Sequence, residues 1–498
     1  MSYNLNEEQF NKIKQDNQGL TLFKKISADL ITPTLSLVKL SKYFDSNIFL
    51  FESVEKGSNK GRFSVIGFDP DQIWQCQNGQ SSINKNFSYN QKDFSLQHGE
   101  ILENLRKFIT EAQINNDPTW NLPAMSSGIF GYMGYDMIQY MEDISQNNKP
   151  DTINIPDSIF IRPQVIIIFD NLFDLAIICA PCFKNDNKEY QELCYKIDKT
   201  IHILRSEIAL DKKEKLNTKF NFISNCTKQE YCQMVEKSKE YIKDGDIFQV
   251  LPSQRFSADF PSHISEFDFY RSLRSINPSP FLFYLQFEDF VISGSSPEIM
   301  ASAKNKIVTV RPLAGTRKRG NNKIEDEKIS QELLKDEKEI AEHLMLIDLG
   351  RHDVGRVSKE ASVKVTEKMT IEYYSHVMHI SSNVEGILKD NCDALDVLIS
   401  SFPAGTVSGA PKIRAMEIIY EIEKEKRSFY AGCVGYFASN GDMETCITLR
   451  SALIKDKKIY LQSGAGVVYD SKADLEYEEC LNKAQALIKA CHNIDSID

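Results

Sequence analysis

No stretch of the chain is apolar for long enough to cross a bilayer. The longest such run, Val165 to Phe183, is interrupted by Asp170, Asn171 and Asp174, and polar or ionised groups at membrane depth are costly. The opening residues, MSYNLNEEQFNKIKQ, hold no apolar segment behind a basic start, so no secretory leader is expected. Positive charge is also short. With 59 Lys and Arg against 70 Asp and Glu, the net charge is −11, which argues against a general nucleic-acid binder because that affinity comes from clustered cations. A disulfide framework is missing as well: the eleven cysteines are odd in number and scattered, which fits reduced thiols. Cys179-Ala-Pro-Cys182 has no second pair and reads as structural. A cytoplasmic protein with no membrane and no nucleic-acid partner is expected.

What is present suits a large globular core: 498 residues, 42% of them hydrophobic. Up to about residue 205 short strands and helices mix, as in Val165-Ile-Ile-Ile-Phe169 and the alternating Phe63 to Phe68. Residues 206 to 226 are polar and lysine-rich without an apolar face, so a boundary is expected there, between a region 1–226 and a region 227–498. Thr227 with Glu230 forms a capping-box pattern, and the helix it opens should end near Asp244-Gly245. Two hairpins follow. Phe281 to Phe287 returns through Glu288-Asp289 into Phe290 to Ser293, and Glu444 to Ile454 returns through Asp456-Lys457 into Lys458 to Ser463. Hairpin strands separated by long helices indicate an α+β fold with antiparallel sheets.

Several constellations carry chemical potential. Glu339 and Glu342 lie three apart in the periodic segment Asp336 to Leu349, and Glu476 and Glu479 repeat that spacing, so each pair shares one helical face. Facing each other, two such pairs would suit a hard cation; spacing alone favours two solvated faces. Glycine loops at Ala314-Gly-Thr-Arg317, Pro403 to Pro411 and Ser463-Gly-Ala-Gly466 could bring backbone N–H groups close to an anion. The second runs into a helix with Pro411 at its first turn, and Arg450 and Lys483 supply cations nearby. His376 and His379 suit either a proton-transfer or a core role, and no cysteine stands near them at zinc spacing.

Six strings, in order, resemble the chorismate-utilising enzyme family, and within it the anthranilate synthase component I branch. They are Gly294-Ser-Ser-Pro-Glu298, Arg311-Pro-Leu-Ala-Gly-Thr-Arg317, Glu342 to Arg351, Tyr374-Ser-His-Val-Met-His379, Phe402 to Lys412 and Ser463-Gly-Ala-Gly466. A weaker resemblance, in Phe51-Glu-Ser53 and Gly61 to Gly67, covers the N-terminal half. The resemblance implies two antiparallel sheets packed face to face with surrounding helices. It implies Mg²⁺-dependent amination of chorismate by ammonia with loss of pyruvate, giving anthranilate at the start of tryptophan biosynthesis. Glu298 matches the general acid, Glu342 and Glu479 the Mg²⁺ ligands, and Glu339 and Glu476 supporting carboxylates. Gly315, Thr316, Tyr430, Arg450, Gly464, Ala465, Gly466 and Lys483 match substrate contacts, and His379 and Thr406 match active-site positions.

Two positions separate siblings by the same resemblance. Gln249 stands where water-using relatives that form isochorismate or salicylate carry a lysine, and Ala314 stands where aminodeoxychorismate synthases carry a lysine nucleophile. Gln249 thus favours ammonia over water, and Ala314 favours anthranilate over aminodeoxychorismate. The N-terminal half resembles a tryptophan-binding regulatory region: Ser53 with Pro280, Phe281 and Leu282 matches the feedback pocket, although Phe51 replaces a usual leucine and Phe281-Leu282 a common Tyr-Met. A separate glutaminase subunit supplying ammonia is the implied partner. A catalytically silent tryptophan sensor is the rival from another class.

Overall fold

The structure is a computed structural model that describes residues 2–53, 61–87, 90–144, 149–208, 218–374 and 377–496. Its frame is set by two long strands, Phe63–Gln77 and Ser158–Asp170, which pair antiparallel from Phe63 opposite Asp170 to Cys76 opposite Ser158. The register shifts between Pro70 and Gln72, with Pro70 opposite Pro163. Proline cannot donate to a ladder, so its place is at such an irregularity. Each long strand has different neighbours on its two halves, and the two sets of neighbours build two layers.

The first layer extends from the Phe63 end through Ile48–Glu52, Phe281–Gln286, Phe290–Ser296, Ser451–Lys455 and Lys458–Gly464 to Ser253–Asp259. On its other side lie Leu175–Cys182 and Leu20–Ser27. The second layer runs from Gly128–Met133 through Cys433–Ala438, Met443–Ile447, Ile299–Lys304 and Ile307–Val310 to Val377–Ile387. Val377–Ile387 also pairs with Leu313–Lys318 and Lys364–Tyr373. The expected α+β fold with two antiparallel layers is therefore present, and the shared long strands join the layers into one hydrogen-bonded network of 21 strands among the described residues.

A core of Phe49, Phe130, Tyr132, Ile161, Ile168, Phe283, Ile292, Val434 and Leu453 fills the space between the layers. Phe49 and Phe130 stack at 4.6 Å although their strands are not neighbours. Helices close the outer faces: Glu266–Ile276 and Ala473–His492 through Phe269, Leu273 and Leu487, and Glu337–Val357 and Ala394–Ser401 through Ile347, Val354, Leu395 and Leu398.

The stretch expected as one strand from Glu444 to Ile454 is two. Met443–Ile447 belongs to the second layer and Ser451–Lys455 to the first, with Arg450 at a left-handed φ of 48° between them. Alternation of side chains does not reveal a change of partner. A second crossing lies alongside, where Phe290–Ser296 of the first layer gives way at Pro297 and Glu298 to Ile299–Lys304 of the second. The Ile447 N–H donates to the Glu298 carbonyl at 3.0 Å and the Ser295 N–H to the Arg450 carbonyl at 3.1 Å, which binds the two crossings together.

The capping box at Thr227 is formed, and its helix, Lys228–Lys243, ends before Gly245 at φ 84°. Of the boundary expected at 206 to 226, residues 209–217 lie outside the described residues. Chain from either side of it contributes strands to both layers, as Ile48–Glu52 against Phe281–Gln286 and Gly128–Met133 against Cys433–Ala438. All eleven cysteines are free, and Cys179 and Cys182 are buried. Among the described residues no helix is long and apolar enough to cross a membrane.

Candidate active site

Glu298 occupies one layer crossing, where the chain leaves the ladder and its side chain can turn inward. The carboxyl is buried and its Oε1 accepts a hydrogen bond from the Thr406 hydroxyl at 3.1 Å. Burial pushes its pKa up to about 8, against the opposing pull of Thr406, the Leu313 N–H, Arg450 and Lys483. A carboxyl in that condition keeps its proton at neutral pH and can donate it. Arg450, from the other crossing, is partly buried, and loss of water lowers its pKa from the ordinary value while Tyr374 and Glu298 favour the charge.

Thr316 and His379 are register partners on adjacent strands, and the Thr316 hydroxyl lies 3.0 Å from His379 Nδ1. The Tyr374 ring meets the imidazole edge-on at 5.4 Å. Burial first, then Arg450 and Lys483, lowers the His379 pKa to about 4, so the ring is neutral. His376 lies outside the described residues. Ala314, on the strand with Thr316, is buried opposite Ile380. Gly315 adopts φ 64°, and a Cβ there would come within 3.2 Å of Glu339 Oε2.

The helix Glu337–Val357, capped by Asp336, aims Glu339 and Glu342 at this centre. Arg317 bridges Asp336 at 2.7 Å and Glu339 at 2.8 Å. Glu342 Oε1 accepts from Gln249 Nε2 at 3.2 Å, and its pKa is raised by burial and by the charges of Glu339 and Glu479. Glu476 is raised too, by burial and by Glu479. The carboxylates of the two helices thus act on one another. Lys483 pairs with Glu479 at 2.9 Å, with both side chains about half exposed.

The glycine loops complete the mouth. Gly409 and Ala410 pair with Val250 and Gln249 in a two-stranded ladder. Gly464 is opposite Ser253, and the Ala465 N–H donates to the Tyr231 hydroxyl at 3.2 Å. A Cβ on Gly466 would stand 2.8 Å from Gln249 Nε2. Pro411 is the N-cap of the helix Lys412–Ile422, one position earlier than expected, and no side chain caps that end. Tyr430 is buried behind the loops. The acid, histidine, cation, carboxylate and glycine-loop positions singled out from the sequence converge here.

Of Ser53, Pro280, Phe281 and Leu282, Leu282 pairs with Glu52, directly before Ser53, and Phe281 pairs with Ser296, two residues before Glu298.

Sequence reasoning missed Tyr231, Glu423 and Arg427. Every residue of the run Glu423-Lys-Glu-Lys-Arg427 is charged, yet Glu423 and Arg427 are buried. Their spacing of four was the available signal.

Four carboxylates on two helices, one of them tied to an amide, make an oxygen donor set suited to a hard cation. Among the described residues no three His, Cys, Asp or Glu stand close enough together to hold a metal ion by themselves.

Residues 47–489 match the chorismate binding enzyme family. The chain belongs to that family. Among its relatives, anthranilate synthase component 1 of Cereibacter sphaeroides is 44% identical over 494 residues, covering 98% of this chain and 97% of its own. The protein of the same name from Acinetobacter calcoaceticus is 42% identical, with 97% of each chain covered. The crystal structure of anthranilate synthase component I from Streptococcus pneumoniae superposes with a TM-score of 0.78 at 36% identity, covering 93% of this chain and 99% of that one. The fold is shared more distantly with the menaquinone-specific isochorismate synthase MenF of Escherichia coli, at a TM-score of 0.69 and 17% identity.

Proposed function

We propose that this chain is an anthranilate synthase large subunit, a cytoplasmic lyase that aminates chorismate with ammonia, expels pyruvate and releases anthranilate. The observation that carries this reading is Glu298: a buried carboxyl whose pKa burial pushes up to about 8, bonded to Thr406 and acted on by the charges of Arg450 and Lys483. Addition of ammonia at C2 expels the C4 hydroxyl, which leaves poorly unless it is protonated. Glu298 supplies that proton. The neutral imidazole of His379, oriented by Thr316, accepts the ring proton as the ring C–O bond breaks, and the departing enolpyruvate takes up a proton at its methylene carbon to become pyruvate.

Arg450 and Lys483 attract the carboxylates of chorismate. The backbone at Gly315, Thr316, Gly464, Ala465 and Gly466 admits it closely, and Tyr430 closes the back of the site. Glu342 and Glu479 would hold Mg²⁺, with Glu339 and Glu476 in support. Bound there, the ion supplies charge that orients a substrate carboxylate and withdraws electron density from the ring.

Gln249 Oε1 is buried with no protein partner among the described residues, while its amide nitrogen is tied to Glu342. It is placed to accept an N–H of ammonia, for which no base is needed. Ala314 leaves no amine that could attack the ring, which favours anthranilate over aminodeoxychorismate. A separate glutaminase subunit delivers the ammonia, and L-tryptophan binds at Ser53 and Pro280 to Leu282 as the feedback inhibitor.

The metal assignment is tested by Glu479→Gln, whose Mg²⁺ activation curve should shift to higher concentration while the circular dichroism spectrum stays that of the parent. An unshifted curve would remove Glu479 from the metal site.

A further inference from the structure

A single buried ion pair touches three of the segments that form the mouth. The Arg427 side chain is 1% exposed, and its Nε donates to Glu423 Oε2 at 3.0 Å while Nη2 donates to Oε1 at 2.6 Å. The rest of the guanidinium is spent on backbone. Nη1 donates to the Val407 carbonyl at 2.7 Å and Nη2 to the Leu251 carbonyl at 2.5 Å. Its plane lies 4.7 Å from the Tyr135 ring centre and 5.7 Å from that of Tyr430. Glu423 Oε1 in turn accepts from the Ser253 N–H and the Ser253 hydroxyl, each at 2.8 Å.

Each contact stands next to a group of the site. Val407 follows Thr406, which donates to Glu298. Leu251 comes two residues after Gln249, and Ser253 is the register partner of Gly464. A buried ion pair adds little net stability over well-packed apolar side chains, whereas a planar fork with several donors fixes several acceptors at once.

Resting on the proposed function, we infer that Arg427, held by Glu423, is a positioning residue that sets Thr406 against Glu298 and keeps the Gln249 strand and the Gly464 turn in register with it. Arg427 touches no reacting atom; it acts through the carbonyls of Val407 and Leu251.

Lysine keeps the charge but lacks the fork, so R427K is the informative variant. With chorismate, Mg²⁺ and ammonium, its kcat should fall ~10- to 100-fold, as expected for a slight misplacement at a reacting centre, with a far smaller change in the KM for chorismate. Because part of the effect passes through Thr406, the kcat losses of R427K and Thr406→Ala should combine to less than their product. A purely structural role predicts losses that multiply. Circular dichroism and a melting curve establish that the variants are folded; if R427K does not fold, E423Q replaces it in the same cycle and is judged by the same criteria. Parental kcat in a folded variant, or multiplying losses, would overturn the inference. A parent chain that makes no anthranilate would sink the proposed function instead.

Discussion

The chemistry turns on a carboxyl whose state depends on its surroundings. Glu298 was legible as a candidate from the string around it, but its protonation was not, because burial comes from segments more than a hundred residues away, among them Thr406. Glu298→Gln should lower kcat by ~10² to 10⁴-fold, the usual worth of a general acid. With ammonium salts the parent rate should rise with pH as free ammonia increases and fall above about 8, where the acid loses its proton. A kcat profile that keeps rising well beyond that point would remove the acid role. The same group affects stability. Its folded pKa lies above the ordinary value of 4.5, so its contribution is present below pH 4.5 and is lost as pH rises through about 8. Denaturant titrations of Glu298→Gln should lack that part of the pH dependence.

At the level of elements, local signals were read well where local chemistry decides. The capping box at Thr227 and the hairpin from Phe281 into Phe290 required only nearby residues. The break at Thr448 to Arg450 did not, because it exists to move the chain from one layer to the other. That crossing and the one at Glu298 place an acid and a cation side by side, so the least legible part of the fold is where the site forms. Gly315 shows how closely backbone and site fit together. Gly315→Ala should cost about 1–2 kcal/mol from its left-handed φ alone. It should also weaken chorismate binding as the new methyl presses on Ile380 and Glu339. Unchanged stability and unchanged KM in that variant would contradict the close fit described for this loop.

Over the whole molecule, chain on either side of residues 209–217 contributes strands to both layers, and Phe281 pairs with the strand Phe290–Ser296, which ends two residues before Glu298 and would give a ligand at Ser53 a physical route to the centre. Tryptophan seated there should bind one site per chain and lower activity by favouring one arrangement of the layers. Calorimetry without a tryptophan signal would remove the regulatory role. The overall reaction offers the most direct test of the central claim. Purified chain with chorismate, Mg²⁺ and ammonium at mildly alkaline pH should yield anthranilate and pyruvate in equal amounts, and glutamine should replace ammonium only when a glutaminase subunit is added. Mass spectrometry that found aminodeoxychorismate, with its enolpyruvyl group retained, or isochorismate in place of anthranilate would contradict it.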